Sequence, residues 1–250
     1  MTRLPGTNHS VIHDQGTRTQ TMAWDSKGEF EIGGQPVTWV CDGAQKAAPT
    51  IILAHGAGAP YTHPFMEATA AGLVKRGLVV VRFHFPYMEN VVRTGRRRPP
   101  NAQKVLLETW QQMLDLVASW PGVGPITLAG KSMGGRMASM LLADPPTADP
   151  IAASAAVYLG YPLHPPGKHD KLRSAHLPRV PVPQLFVSGT KDNLCRLDLL
   201  QPVLAEIGDR ARLHTVDGGD HSLATSRKEP LAGSDVWLDR VAAFVKENSS

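Results

Sequence analysis

The hydrophobic positions of this chain switch repeatedly between two spacings. Short continuous apolar runs of strand length alternate with longer stretches whose apolar residues fall three and four apart, which predicts strand–helix repeats. Phe30-Glu31-Ile32 and Val37-Thr38-Trp39-Val40 flank Gly33-Gly34 and read as a hairpin. Strands are then predicted at residues 50–54, 78–83, 126–129, 154–159, 184–188 and 212–216. Helices are predicted at 64–76, stopped by Gly77, at 101–120 with Val105, Leu106, Met113, Leu116 and Val117 on its apolar face, after the strand at 126–129, and at 236–246. A hairpin followed by such repeats implies an α/β fold: a doubly wound, mostly parallel sheet flanked by helices on both faces. Right-handed crossovers then gather the loops that follow the strand C-termini along one sheet edge.

Composition narrows the picture. At 250 residues, with no repeat of solenoid spacing, the chain is expected to hold one α/β domain over residues 28–250 behind a polar N-terminal arm, 1–27. No run is long enough for a signal peptide core or a membrane span. Two cysteines, Cys41 and Cys195, make no disulfide framework and point to a reducing, cytoplasmic setting. The net charge is mildly positive, at +4. The one dense basic run, Arg93-Thr94-Gly95-Arg96-Arg97-Arg98-Pro99-Pro100, has no aromatics interleaved for base stacking. It reads as a solvated loop before a helix and not as a nucleic-acid surface, with an acidic-substrate patch beside the site as its bolder reading. No feature sets an oligomeric state.

Candidate chemistry centres on Gly130-Lys131-Ser132-Met133-Gly134. A G-x-S-x-G turn carries chemistry when it joins a buried strand to a helix, and this one does. The turn is tight enough that side chains two places either side of the serine would clash, hence the glycines. The helix behind it directs free N–H groups at the same point. A phosphate loop ending in Gly130-Lys131-Ser132 is the rival, but its first glycine would fall at Pro125.

A serine hydroxyl needs a base. His221 follows the last predicted strand in the glycine-containing loop Asp217-Gly218-Gly219-Asp220-His221. Asp192 follows the strand at 184–188 in Gly189-Thr190-Lys191-Asp192 and can orient the imidazole, whereas Asp217 and Asp220 belong to the histidine's own loop. The order Ser132, Asp192, His221, each after a different strand, suits this architecture. Two backbone N–H groups are expected to hold a developing oxyanion. Met133 follows the nucleophile, and Ala57, with Gly58 second, lies in His55-Gly56-Ala57-Gly58 after the strand at 50–54. A dinucleotide fingerprint on Gly56 and Gly58 fails, because its third glycine would be Tyr61. His164, His169 and His176 read as a Pro-rich surface loop without metal-ligand spacing. Lys131 either pairs with an acid or holds an anionic substrate.

Together these pieces resemble the α/β-hydrolase superfamily over residues 28–248, and within it the dienelactone-hydrolase-like branch of small predicted hydrolases. The matching segments include His55-Gly56-Ala57-Gly58-Ala59, Arg82-Phe83-His84-Phe85-Pro86-Tyr87, Gly130 to Arg136, Tyr158-Leu159-Gly160-Tyr161-Pro162 and Gly219-Asp220-His221. Dienelactone hydrolases use a cysteine where this chain has Ser132. The resemblance therefore implies a serine hydrolase acting on a small-molecule acyl ester or thioester, with no metal or organic cofactor. The segment 160–183 is too short for more than a minimal cap. The alternative is a non-catalytic scaffold of the same fold that binds a protein partner.

Overall fold

In the computed structural model the described residues are 27–43, 46–146, 151–228 and 233–249. Of the expected arm, 1–27, residues 1–26 lie outside them and Lys27 begins the first strand. Among the described residues eight strands form one sheet: β1 (Lys27–Ile32), β2 (Gln35–Asp42), β3 (Thr50–Ala54), β4 (Val79–Phe83), β5 (Ile126–Lys131), β6 (Ala155–Leu159), β7 (Gln184–Gly189) and β8 (Ala211–Val216). Their spatial order is β1-β2-β4-β3-β5-β6-β7-β8. The hairpin β1–β2 runs antiparallel and joins β4 antiparallel, while β4, β3, β5, β6, β7 and β8 are mutually parallel.

The described residues also form six α-helices that cover the sheet: α1 (Pro64–Val74), α2 (Pro86–Thr94), α3 (Gln103–Ala118), α4 (Met133–Ala143), α5 (Leu197–Ile207) and α6 (Ser234–Glu247). Strand alternation sends successive side chains to opposite faces, and the two cores divide on that rule. Ile52, Leu128, Tyr158 and Phe186 pack with Trp110, Met113, Met137, Leu141 and Leu200 of α3, α4 and α5. Ile51, Leu53, Val157 and Val187 pack with Met66, Leu73, Trp237 and Phe244 of α1 and α6. Being covered on both faces is why β3 and β6 read as near-continuous apolar runs.

Two helices go beyond the sequence reading. In α2, Pro86 sits in the first turn and Gly95 ends the helix in a left-handed conformation, so Arg93 and Thr94 close a helix and only then does the exposed basic loop begin. In α5, Pro202 interrupts the pattern, yet Leu200, Val203 and Ile207 still face the core. The segment 160–183 carries one short 3-10 turn, Leu177–Arg179, and builds no separate lid. Its reading as surface loop needs correcting. Tyr161, Leu163 and His164 are fully buried and His176 is half-buried; His169 alone among the three histidines is exposed. His164 is held between the Pro165 carbonyl and the Arg196 N–H, and His176 bonds the Ser139 hydroxyl. None of the helices, among the described residues, is long and apolar enough to cross a membrane.

Candidate active site

The strand order reverses around β3. The chain goes from β3 to β4 on one side and crosses back to β5 on the other, and a crevice opens at such a switch point. Register aligns Ala54 with Gly130, and Lys131 with Leu159, so the loops after β3, β5 and β6 leave the sheet at one level.

Ser132 joins β5 to α4 at φ 51 and ψ −115, a positive φ on a residue that carries a side chain. Such a conformation survives only where the surroundings fix it. They do: a Cβ on Gly130 would run into the Gly135 amide, and one on Gly134 would lie 2.6 Å from the His55 carbonyl. The Ser132 N–H is tied to the Leu159 carbonyl at 3.0 Å, and the Ser132 carbonyl accepts the Arg136 N–H.

The structure brings the three residues singled out above into one hydrogen-bonded row. The Ser132 hydroxyl lies 2.8 Å from His221 Nε2, and His221 Nδ1 lies 2.9 Å from Asp192 Oδ2 and 3.0 Å from its Oδ1. Asp192 is buried and its Oδ1 also accepts the Leu194 N–H at 2.8 Å. A carboxylate facing Nδ1 puts the ring proton there and leaves Nε2 as the acceptor for the serine O–H. The loops that carry Asp192 and His221 are pinned to each other, with the Lys191 N–H donating to the Gly219 carbonyl, and a Cβ on Gly189 would strike that same carbonyl. Asp220 shapes the histidine loop by accepting the Ser222 and Ala224 amides, and Asp217 accepts only from the exposed Thr190 hydroxyl.

Lys131 has a partner that neither sequence alternative named. Its ammonium donates to the main-chain carbonyl of His221 at 2.7 Å, a bond spanning 90 residues. Dense protein around the amine lowers its pKa to about 8, with Asp192 and Asp220 pulling the other way.

The loop after β3 closes over the serine. The Phe85 N–H donates to His55 Nε2 at 3.1 Å, so His55 carries its proton on Nδ1 and donates to the Gly56 carbonyl at 2.6 Å. Burial lowers the His55 pKa to about 3, which keeps this tautomer neutral. The Tyr87 hydroxyl, whose pKa burial raises, donates to the Ala57 carbonyl at 2.9 Å. Behind them Glu89 accepts from the Thr38 amide and hydroxyl and from His84, tying α2 to β2 and β4. Sequence reasoning missed Tyr87, Glu89 and the buttressing role of His55. The signal for Tyr87 was the run Arg82 to Tyr87 and that for His55 its place in His55-Gly56-Ala57-Gly58, neither of which named a partner, and Glu89 had none. Met133 supplies the first N–H of α4, one of the groups a helix leaves without an internal acceptor.

Two clefts meet at Ser132. The larger, about 710 Å³, is lined by Gly56, Phe65, Met66, Lys131, His221 and Ser222 among others. The smaller, about 410 Å³, is lined by Asn101, Met133, Arg136, Met137, Arg173 and Leu194 among others. Ala57 and Ser132 border both.

A serine on a strained strand-to-helix elbow, at the switch point of a mostly parallel sheet, defines the α/β-hydrolase class. The chain belongs to the alpha/beta hydrolase domain family, whose model matches residues 47–248. Its solved structural relatives include the ferulic-acid complex of Est1E from Butyrivibrio proteoclasticus, at TM-score 0.69 and 14% identity, covering 88% of this chain and 98% of that one. A dienelactone hydrolase from Anabaena variabilis aligns at TM-score 0.68 and 18% identity, over 90% of this chain and 99% of that one. A cold-adapted esterase from an Arctic intertidal metagenomic library aligns at TM-score 0.62 and 20% identity, over 86% and 92%. At these identities the likeness is one of fold.

Proposed function

We propose that the protein is a serine hydrolase that cleaves a small acyl ester or thioester through an acyl-enzyme on Ser132. The observation that carries this reading is the unbroken row of short contacts from Ser132 Oγ through His221 to the buried Asp192. His221 Nε2 takes the hydroxyl proton as Oγ attacks the carbonyl carbon. Asp192 holds the ring and stabilises the imidazolium. The N–H groups of Met133 and Ala57 receive the oxyanion, with Ala57 oriented through its carbonyl by Tyr87. The tetrahedral species collapses as His221 returns its proton to the departing oxygen or sulfur. Water, activated by the same imidazole, then releases the acid.

The esterase and the ferulic-acid-bound Est1E among the fold relatives support the choice of ester chemistry. A fluorophosphonate probe tests it, since such probes label serines activated by a base. Wild type is expected to be labelled at Ser132 and to hydrolyse short esters. Ser132→Ala is expected to do neither while unfolding at an unchanged temperature, because an elbow hydroxyl fills no core space. A folded protein that resists the probe and turns over no ester would instead be the non-catalytic scaffold.

A further inference from the structure

The two clefts differ in which reaction partner they can serve. His221 lines the larger cleft and not the smaller. Collapse of the tetrahedral intermediate requires the His221 imidazolium to reach the leaving atom. The leaving group therefore departs through the larger cleft, and the acyl chain lies in the smaller one, beside Met133.

That acyl-side cleft is cationic without compensation. Arg136 and Arg173 line it together with the side-chain amides of Asn101 and Gln103, and no Asp or Glu does. Elsewhere Arg76, Arg82, Arg179, Arg196 and Arg212 each sit against a carboxylate. Arg136 and Arg173 have no carboxylate partner among the described residues, and Arg136 Nε is buried with no acceptor at all. Burial lowers the pKa of Arg136; the Tyr161 hydroxyl opposes this, and the like charge of Arg173 adds to it. A buried donor left unpaired beside a second cation is costly, and an incoming oxyanion would relieve both charges. Guanidinium forks match such oxyanions in a bidentate way.

Position sets the length of the ligand. Arg136 lies one helical turn beyond Ser132, its N–H bonded to the Ser132 carbonyl at 3.0 Å. Helical side chains lean towards the helix N-terminus, which here is the serine end. The anionic group therefore lies within about one 5.4 Å turn or slightly more of the acyl carbon. Leu106, Met137 and Leu194 give that span an apolar wall suited to a few methylenes. The exposed basic run 93–98 leads into Pro100 and Asn101 at the rim, where it adds to the field that draws anions in.

We propose that the smaller cleft is an acyl-side anion site: the substrate is an ester or thioester of a short dicarboxylic acid, its free carboxylate held by Arg136 and Arg173. This rests on the reading of Ser132 and His221 given above. The distal carboxylate takes no part in bond changes. Ser132 Oγ forms the bond to the esterified carbonyl, the bond to the alcohol or thiol breaks with the proton supplied by His221, and water completes hydrolysis to the diacid.

The test compares kcat/KM for ethyl hydrogen succinate and ethyl hydrogen glutarate with their neutral carboxamide isosteres, following ethanol release. Wild type is expected to favour a charged ester over its isostere by about tenfold or more, the scale of one charge-assisted hydrogen bond. Arg173→Met and Arg136→Met are expected to bring that ratio towards one, and Arg173→Lys to restore part of it. Fluorophosphonate labelling of each variant reports whether its serine site is assembled. A wild-type ratio of one or less overturns the proposal, as does a preference that survives both Met substitutions in labelled protein. In either case labelling and hydrolysis of the carboxamide esters by wild type leave the serine hydrolase reading standing. If wild type is not labelled and cleaves none of the four esters, that reading falls and this proposal with it.

Discussion

Replacing Lys131 by methionine should separate stability from turnover. The amine titrates near 8 rather than 10.5 because the folded protein surrounds it. At about 1.4 kcal/mol per unit, that displacement corresponds to roughly 3 kcal/mol held against the charged form. Lys131 is only partly covered, so solvent screening reduces the figure to about 1–2 kcal/mol. The folded pKa lies below the unfolded one, so from pH about 8 to about 10.5 the unfolded chain binds more protons and wild-type stability rises with pH. Below that window the whole penalty is present; above it, none is. The melting temperature of Lys131→Met relative to wild type should therefore be higher at pH 7 than at pH 10.5, by about 2–4 °C per kcal/mol for a chain of this size. Meanwhile the His221 carbonyl loses its 2.7 Å donor, and the loop that holds the imidazole against Ser132 loosens. Small misplacements of a reacting group cost up to about 100-fold, so kcat on a neutral short ester should fall tenfold or more, by that rough scale. Differential scanning fluorimetry across pH and initial rates at saturating ester measure the two effects. A melting difference that stays flat with pH, or an undiminished kcat, refutes the reasoning.

Three further outcomes are expected. Asp192→Asn should lower kcat on short esters by about 10⁴, the scale seen when a triad acid loses its charge, while Asp217→Asn stays within a few-fold; the reverse ranking would move the acid to the histidine's own loop. Gly130→Ala should destabilise the fold by about 3 kcal/mol in urea titration, because its Cβ has only the Gly135 backbone to enter; a wild-type midpoint would contradict the tight elbow. In a series of p-nitrophenyl esters, kcat/KM should peak at short acyl chains and fall towards palmitate, since the acyl-side cleft is about 410 Å³ and the segment above it forms no lid; a steady climb through palmitate would mean a deep tunnel.

What could be read from sequence was what local sterics and periodicity govern. Gly130 and Gly134 announce the elbow because the collision they avoid involves main chain within a few residues or on the adjoining β3. Buried strands announce themselves through runs such as Thr50–Ala54, every residue of which is buried. Helix α5 escaped notice because Pro202 breaks the pattern at its centre, though Leu200, Val203 and Ile207 are still its buried residues. Helix α2 has only nine residues and a mean apolar content too low to stand out from the loop after it. The placement of β4 between β2 and β3 is a long-range choice that no window of residues encodes. His164 was misjudged because Pro-rich composition predicts exposure, whereas this segment buries Tyr161, Leu163 and His164, the first two within the larger core.

The geometry around Ser132 shows why spacing alone singles out that serine but not the residues that support it. Lys131 ends β5 and Ser132 begins the turn, so the two side chains leave the backbone in different directions. One reaches the His221 ring at 2.8 Å and the other its main-chain carbonyl at 2.7 Å. Two neighbouring residues thus grip His221 at two points, which limits both translation of the loop and rotation of the imidazole. The third constraint comes from behind, where Lys191 holds the Gly219 carbonyl and Asp192 the ring nitrogen. Gly160, at φ 62, has to lack a side chain because a Cβ there would sit 2.5 Å from the His221 carbonyl and 3.0 Å from the Lys131 amine. The variable position of the G-x-S-x-G motif is therefore occupied here by a residue whose ammonium the fold desolvates for the sake of histidine placement. That cost in stability at neutral pH is the quantity the Lys131→Met melting curves measure.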